Sequence, residues 1–192
     1  MIRRAAEHTR NRPTGRNLEL ERYGVQIVWV GMSKMRWSHL TSLIQGLLNL
    51  YGFPSAVLVH CGGNDNGHTE TPCGLLTYQI KVTFVSSFIE ILPGCPIIWS
   101  SILPRIKWRL STITTKMEKK TRRRINRHVR SYFLNKNCYV IEYPGFDDKL
   151  PALFDPDGTH LSFIGNDISI NAIQGALETF FKYPYIHVYP YN

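Results

Sequence analysis

Two short stretches hold residues whose types and spacing can do acid–base chemistry. Residues 155–162 read Asp-Pro-Asp-Gly-Thr-His-Leu-Ser, with Asp157 and His160 three apart behind a turn imposed by Pro156 and Gly158. An imidazole used as general base needs one nitrogen free toward a nucleophile and the other held by an acceptor, and a carboxylate one turn away supplies that acceptor. The ordinary alternative is that Asp157 or Thr159 caps the next helix and His160 is a plain surface residue. Residues 57–65 read Val-Leu-Val-His-Cys-Gly-Gly-Asn-Asp, a buried strand running into a polar turn. Asn64 then stands at the carboxyl end of that strand, where open α/β sheets bind ligands, and its amide is placed to donate a hydrogen bond into a cleft. By itself the stretch is equally an ordinary Asn/Asp turn.

The elements that must position these residues follow from period and punctuation. Residues 25–30, Val-Gln-Ile-Val-Trp-Val between Gly24 and Gly31, read as the first strand. Apolar residues from Met35 to Leu48 mark a helix stopped by Gly52 and Pro54. A strand at 56–61, a helix through 75–92 ended by Pro93-Gly94, and a strand at 96–100 follow. A basic helix, a short strand at 139–142 and a helix over 163–181 complete the domain, 1–182, with an aromatic tail at 183–192. Strands alternating with helices predict a parallel sheet covered on both faces, a three-layer α/β/α sandwich of flavodoxin-like type.

The length of 192 residues suits one domain, and no stretch reaches the roughly 18 apolar residues of a membrane span. Cys61, Cys73, Cys95 and Cys138 form no CxxC pair, which predicts free thiols and an intracellular, cytoplasmic setting. His60, Cys61, His68 and Cys73 match no zinc spacing, so no metal or other cofactor is expected. The net charge of +9 points to nucleic acid or another polyanion as a partner. It is concentrated at residues 116–130, which carry eight Lys and Arg against one Glu. Lys119, Lys120, Arg122, Arg123, Arg124 and Arg127 are the candidate contacts, and an ordinary solvated helix face is the competing reading. The first sixteen residues hold five Arg and one Glu, as transit peptides do, but read better as a helix and loop of the domain.

Taken together, Gly62-Gly63-Asn64-Asp65 and Asp157-Gly158-Thr159-His160 resemble the GxND and DxxH blocks of the SGNH (GDSL-like) hydrolase family, in the same order. Residues 99–105, Trp-Ser-Ser-Ile-Leu-Pro-Arg, and 122–126, Arg-Arg-Arg-Ile-Asn, are similar in flavour to the SGNH-like domains of vertebrate tyrosine-recombinase retroelements. The resemblance implies a serine ester hydrolase acting on a small ester, with His160 as base, Asp157 as its orienter and Asn64 as oxyanion donor. The family's second block contributes a backbone N–H to the oxyanion hole. Here the matching stretch is Gly31-Met32-Ser33-Lys34, with Lys34 where the family has glycine and Gly31 as an offset substitute. A left-handed backbone at Lys34 would be strained by about 1 kcal/mol or more.

The family's nucleophilic serine lies in a first block after a first strand, and the first serine of this chain is Ser33. Ser33 follows a strand-like run and is the alternative nucleophile, but it lies only 31 residues before Asn64, the interval from the second block to the third. The resemblance therefore implies that the first block and the central strand of the sheet are missing, leaving an impaired or inactive hydrolase. A non-catalytic basic module on the same scaffold, or a decayed mobile-element product, are the alternatives.

Overall fold

In a computed structural model of the protein, residues 2–65, 73–108, 115–146 and 150–190 are described. The chain is mixed α/β, a parallel sheet of four strands flanked by helices, with strand order β1-β2-β3-β4. The strands are β1 (Val57–Val59), β2 (Ile97–Ser100), β3 (Tyr139–Ile141) and β4 (Val188–Tyr189). The helices are α1 (Ile2–Thr9), α2 (Leu40–Tyr51), α3 (Cys73–Thr83), α4 (Thr115–Leu134) and α5 (Phe163–Lys182). β1 and β2 run parallel, with Val57, Leu58 and Val59 opposite Ile97, Ile98 and Trp99. Two compact units are distinguished, one of residues 1–33, 104–107 and 141–192, the other of residues 34–103 and 108–140.

The second unit holds the larger apolar core. Trp37 and Trp99 meet edge to face at 5.4 Å, and Phe133 of α4 packs on Phe84 at 4.7 Å. Ile125, Val129 and Phe133 are spaced four apart on α4 and are all buried, which is how a helix of such high charge is held to a core. α3 passes directly into a π-turn at Phe84–Ile89, so the single long helix read from the sequence is broken in its backbone pattern. Its apolar residues still reach the core: Ile80, Phe84, Phe88 and Leu92 are buried.

In the other unit α5 is the organising element. Ser162 caps it, its hydroxyl accepting from Gly165 N at 3.1 Å, and Ile170, Ile173, Leu177 and Phe180 form its buried face. α1 packs against α5. Asp167 of α5 takes both His8 Nε2 at 2.8 Å and Arg12 Nη1 at 2.7 Å, and Arg22 pairs with Glu178 at 2.6 Å. Arg4 pairs with Asp155. Arg4, Arg12 and Arg22 are thus tied to carboxylates of their own unit, while Arg10 and Arg16 are exposed, and the amino-terminal segment is helix and loop of that unit.

One expected strand is absent. Residues 25–30 have no strand partner, and their backbone bonds go elsewhere: Ile27 N donates to the Asn17 side chain at 2.8 Å and Val25 N to Leu20 O at 3.2 Å. A β-rich run becomes a strand only where a neighbouring edge can pair with its backbone groups. Residues 25–30 pair with none of the four strands, and the sheet order starts at β1. Conversely, residues read as a tail supply β4, whose Tyr189 O accepts from Glu142 N at 2.7 Å.

Candidate functional site

Asp157 and His160 stand in a short hairpin-like loop. Phe154 and Leu161 form an antiparallel bridge, and Asp155 N donates to His160 O at 2.9 Å. Gly158 has φ +65°, and an added Cβ would lie 2.8 Å from Lys107 Cγ. Its carbonyl accepts from Ile106 N at 2.8 Å and Lys107 N at 2.9 Å, while Thr159 Oγ1 donates to Lys107 O at 3.1 Å. Glycine is required at 158 on both counts, conformation and space.

Within this clamped loop the Asp157 carboxylate makes three bonds. Oδ1 accepts from Thr159 N at 2.8 Å and His160 N at 2.9 Å, and Oδ2 lies 2.5 Å from His160 Nδ1. The His160 ring and then the His160 backbone N–H hold the Asp157 carboxyl well below the usual carboxylate range. An ionised carboxylate only accepts, so Nδ1 carries a proton, and in the neutral imidazole Nε2 presents the lone pair. Nε2 has no hydrogen-bond partner among the described residues, and the side chain is 38% exposed. Because the folded-state value of Asp157 is lowered, its bonds stabilise the loop at pH above the ordinary carboxylate value. They are lost only as the pH falls through the lowered one. Asp157 does not cap α5, a role that belongs to Ser162.

The turn after β1 lies in the other unit. Gly62 has φ +101°, Asp65 N donates to Gly62 O at 3.2 Å, and Asn64 Nδ2 donates to Met35 O at 2.9 Å. Asp65 is buried, and both its oxygens face Trp37 N, at 3.2 and 3.1 Å. Burial pushes its carboxyl above the ordinary value, so the charged form is the costlier one in the folded state and stability falls as pH rises through the raised value. Asp65→Asn keeps an acceptor for Trp37 N and removes the buried charge, so denaturant unfolding should show a flatter pH dependence. Asp65→Ala orphans the buried N–H and should cost about 1–3 kcal/mol by the same assay.

Lys34 has φ +55°, the left-handed conformation that was expected to strain a lysine here. Gly31 lacks a positive φ; its glycine is explained by close approach, since an added Cβ would lie 2.6 Å from Arg3 N. Lys34→Gly should therefore raise stability by roughly 0.5–1 kcal/mol, the left-handed strain removed less the backbone entropy glycine brings to the unfolded chain. A thermal melt that does not rise would reject the strain.

Ser33 is exposed in the turn at 33–34, and its hydroxyl has no hydrogen-bond partner among the described residues. A serine–histidine contact does occur elsewhere: His60 Nδ1 lies 2.8 Å from Ser100 Oγ, linking the ends of β1 and β2. Ser100 is fully buried, so its hydroxyl is closed to any substrate and the pair serves the sheet. The sequence reading missed this pair, and the only signal for it was that both residues immediately follow or end apolar strand runs.

Cys61, Cys95 and Cys138 form no disulfide, and burial pushes the Cys61 thiol up to about 12 and that of Cys138 up to about 11, so both stay protonated and unreactive. No group of His, Cys, Asp and Glu among the described residues is arranged to hold a metal; His68 and the side chain of Cys73 lie outside those residues. No helix among the described residues is long and apolar enough to cross a membrane. On α4, Lys120, Arg123, Arg124 and Arg127 are exposed, and Lys119 is half-buried. Arg122 is not on the outer face: it is half-buried and donates from Nη1 to Ile102 O at 3.0 Å, beside Asn126, which bonds both Ile102 N and O.

The sequence matches no protein-family model, and no curated protein matches it. Among solved structures it is similar to a GDSL-like lipase from Bacteroides thetaiotaomicron, at 13% identity and a TM-score of 0.59, over 85% of this chain and 78% of that one. At that identity the likeness speaks to backbone architecture alone. The chain has a GDSL-like α/β/α fold.

Proposed function

We propose that this chain is an ester hydrolase domain of the SGNH type, with His160 as general base, Asp157 as its orienter and Asn64 as a side-chain donor to the oxyanion. The backbone N–H of Lys34, or of Gly31, is the second donor in this reading. The observation that carries it is the 2.5 Å bond between Asp157 Oδ2 and His160 Nδ1, on an imidazole whose side chain is 38% exposed and whose Nε2 has no partner among the described residues. That is the tautomer and orientation a general base needs, and a pair serving only the loop has no requirement for an unpartnered second nitrogen.

In this reading the nucleophile is a water, with Ser33 as the alternative. Nε2 takes a proton from a water as its oxygen adds to the ester carbonyl. The negative charge moves to the carbonyl oxygen, and collapse expels the alcohol, which receives the proton from the imidazolium. General-base catalysis of this kind is worth about 10²–10⁴-fold, far short of a full triad, so turnover is slow. The test is release of 4-nitrophenolate from 4-nitrophenyl acetate by the chain and by His160→Ala. A rate unaffected by that substitution would overturn the assignment.

A further inference from the structure

The positive charge of this protein is distributed in two different ways. Near the amino end Arg10 and Arg16 stand singly without an ion pair among the described residues, but Arg3, Arg4, Arg12 and Arg22 each face a carboxylate of their own unit: Glu7, Asp155, Asp167 and Glu178. On α4 the situation is reversed. Lys120, Arg123, Arg124 and Arg127 are exposed, and none has an ion-pair partner among the described residues. Their spacing of three, four and seven puts them on one helix face, opposite the buried face of Ile125, Val129 and Phe133. From 119 to 134 the sequence has no acidic residue at all. An ordinary solvated helix carries Glu among its Lys and Arg, because like charges at this spacing repel by about 0.2–0.5 kcal/mol per pair. Here that repulsion is left uncompensated, along a rise of about 10 Å.

We propose that this face of α4 is a contact surface for the phosphate backbone of a nucleic acid. Phosphates supply the missing counter-charges at repeating positions, and three of the four cations are arginines, whose planar forks bind phosphate oxygens in pairs. The contact is to backbone and carries no base readout: α4 exposes no large apolar or aromatic residue between 119 and 134 on which a base could stack. The same absence argues against a lipid surface, since an interfacial helix needs an exposed apolar flank to enter the membrane, and the apolar face of α4 is committed to the core.

The test is fluorescence anisotropy of a labelled 20-nucleotide oligouridylate with the whole chain, titrated across salt. Four phosphate contacts give a slope of about −2.8 in log K against log salt, so binding should weaken about fifty-fold between 50 and 200 mM. The quadruple variant Lys120→Gln, Arg123→Gln, Arg124→Gln, Arg127→Gln should lose the binding while its thermal midpoint stays level or rises. Should that variant fail to fold, the double variant R123Q/R124Q carries the test, with the slope shallower by about 1.4. No binding at 50 mM salt overturns the proposal, as does an affinity or slope that these substitutions leave unchanged. Binding to phosphatidylserine vesicles without binding to the oligonucleotide overturns it as well.

Discussion

Asp157→Asn is expected to slow ester hydrolysis about as much as His160→Ala does, by about 10²-fold or more, while leaving the thermal midpoint nearly where it was. The asymmetry comes from the two oxygens of Asp157. Oδ1 holds the loop through Thr159 N and His160 N, and the amide oxygen of asparagine can take over both bonds. Oδ2 faces His160 Nδ1, and there asparagine places an NH₂. A donor in that position makes Nδ1 the acceptor and moves the ring proton to Nε2, so the nitrogen that must accept a proton from the nucleophile no longer can. The loop survives and the base is lost. Asp157→Ala lacks both functions and should additionally loosen the loop. The pH profile gives a second reading: the Asp157 carboxyl is held ionised far into the acid range, so its protonation leaves no mark on the acid limb of the wild-type rate. Wild-type turnover in Asp157→Asn would leave Asp157 as a turn residue only.

Among the described glycines Gly165→Ala is expected to be the most destabilising, at about 3 kcal/mol, the upper end of what overpacking costs. An added Cβ would sit 2.1 Å from Leu153 O and 3.1 Å from Leu153 C, atoms of a backbone that cannot rotate away. The turn Pro151–Leu153 and the first turn of α5 are also locked by Ser162, whose hydroxyl donates to Ala152 O at 2.6 Å and accepts from Gly165 N at 3.1 Å. Relief therefore means moving the start of α5 away from the turn, at the cost of both bonds. For a chain of this size 3 kcal/mol lowers the thermal midpoint by about 6–12 °C. Gly46 provides the control: it is an exposed helical glycine in α2 with nothing within 4 Å of an added Cβ, and Gly46→Ala should stabilise by up to about 1 kcal/mol. Equal effects at the two sites would show that the approach at Gly165 is not close.

Most elements were legible because their signals are local. Leu40–Tyr51 and Phe163–Lys182 follow the 3.6-residue repeat of apolar residues between clear stop signals, and the runs at Val57–Val59, Ile97–Ser100 and Tyr139–Ile141 are short, apolar and bounded. Residues 25–30 carried the same signal and are not a strand, since period-2 apolar residues report suitability for a sheet and not the presence of an edge to pair with. The opposite error concerns residues 188–189, which have no run long enough to read as a strand and become one because an edge is available. On α4 the charge count was right in sum, yet Arg122 turned inward to Ile102 O, a contact set by a loop twenty residues away in sequence.

What the sequence by itself determined is the set of residues and their local geometry. Asp157, Gly158 and His160 lie within one turn, so their spacing alone brings carboxylate and imidazole together, and Gly158 and Gly62 adopt the positive φ that glycine tolerates best. Only the tertiary structure decided which of two equal-looking candidates does what. Nε2 of His160 has no partner among the described residues, while Ser100 beside His60 is sealed. Gly31 is held by the backbone of Arg3, whereas Lys34 takes the left-handed turn. Arg3, Arg4 and Arg12 are paired, while the cations on the outer face of α4 have no ion-pair partner among the described residues. The physical reason is the same in each case. Bond angles and short spacings are set along the chain, but burial, close approach and the supply of counter-charges depend on groups that only folding brings near.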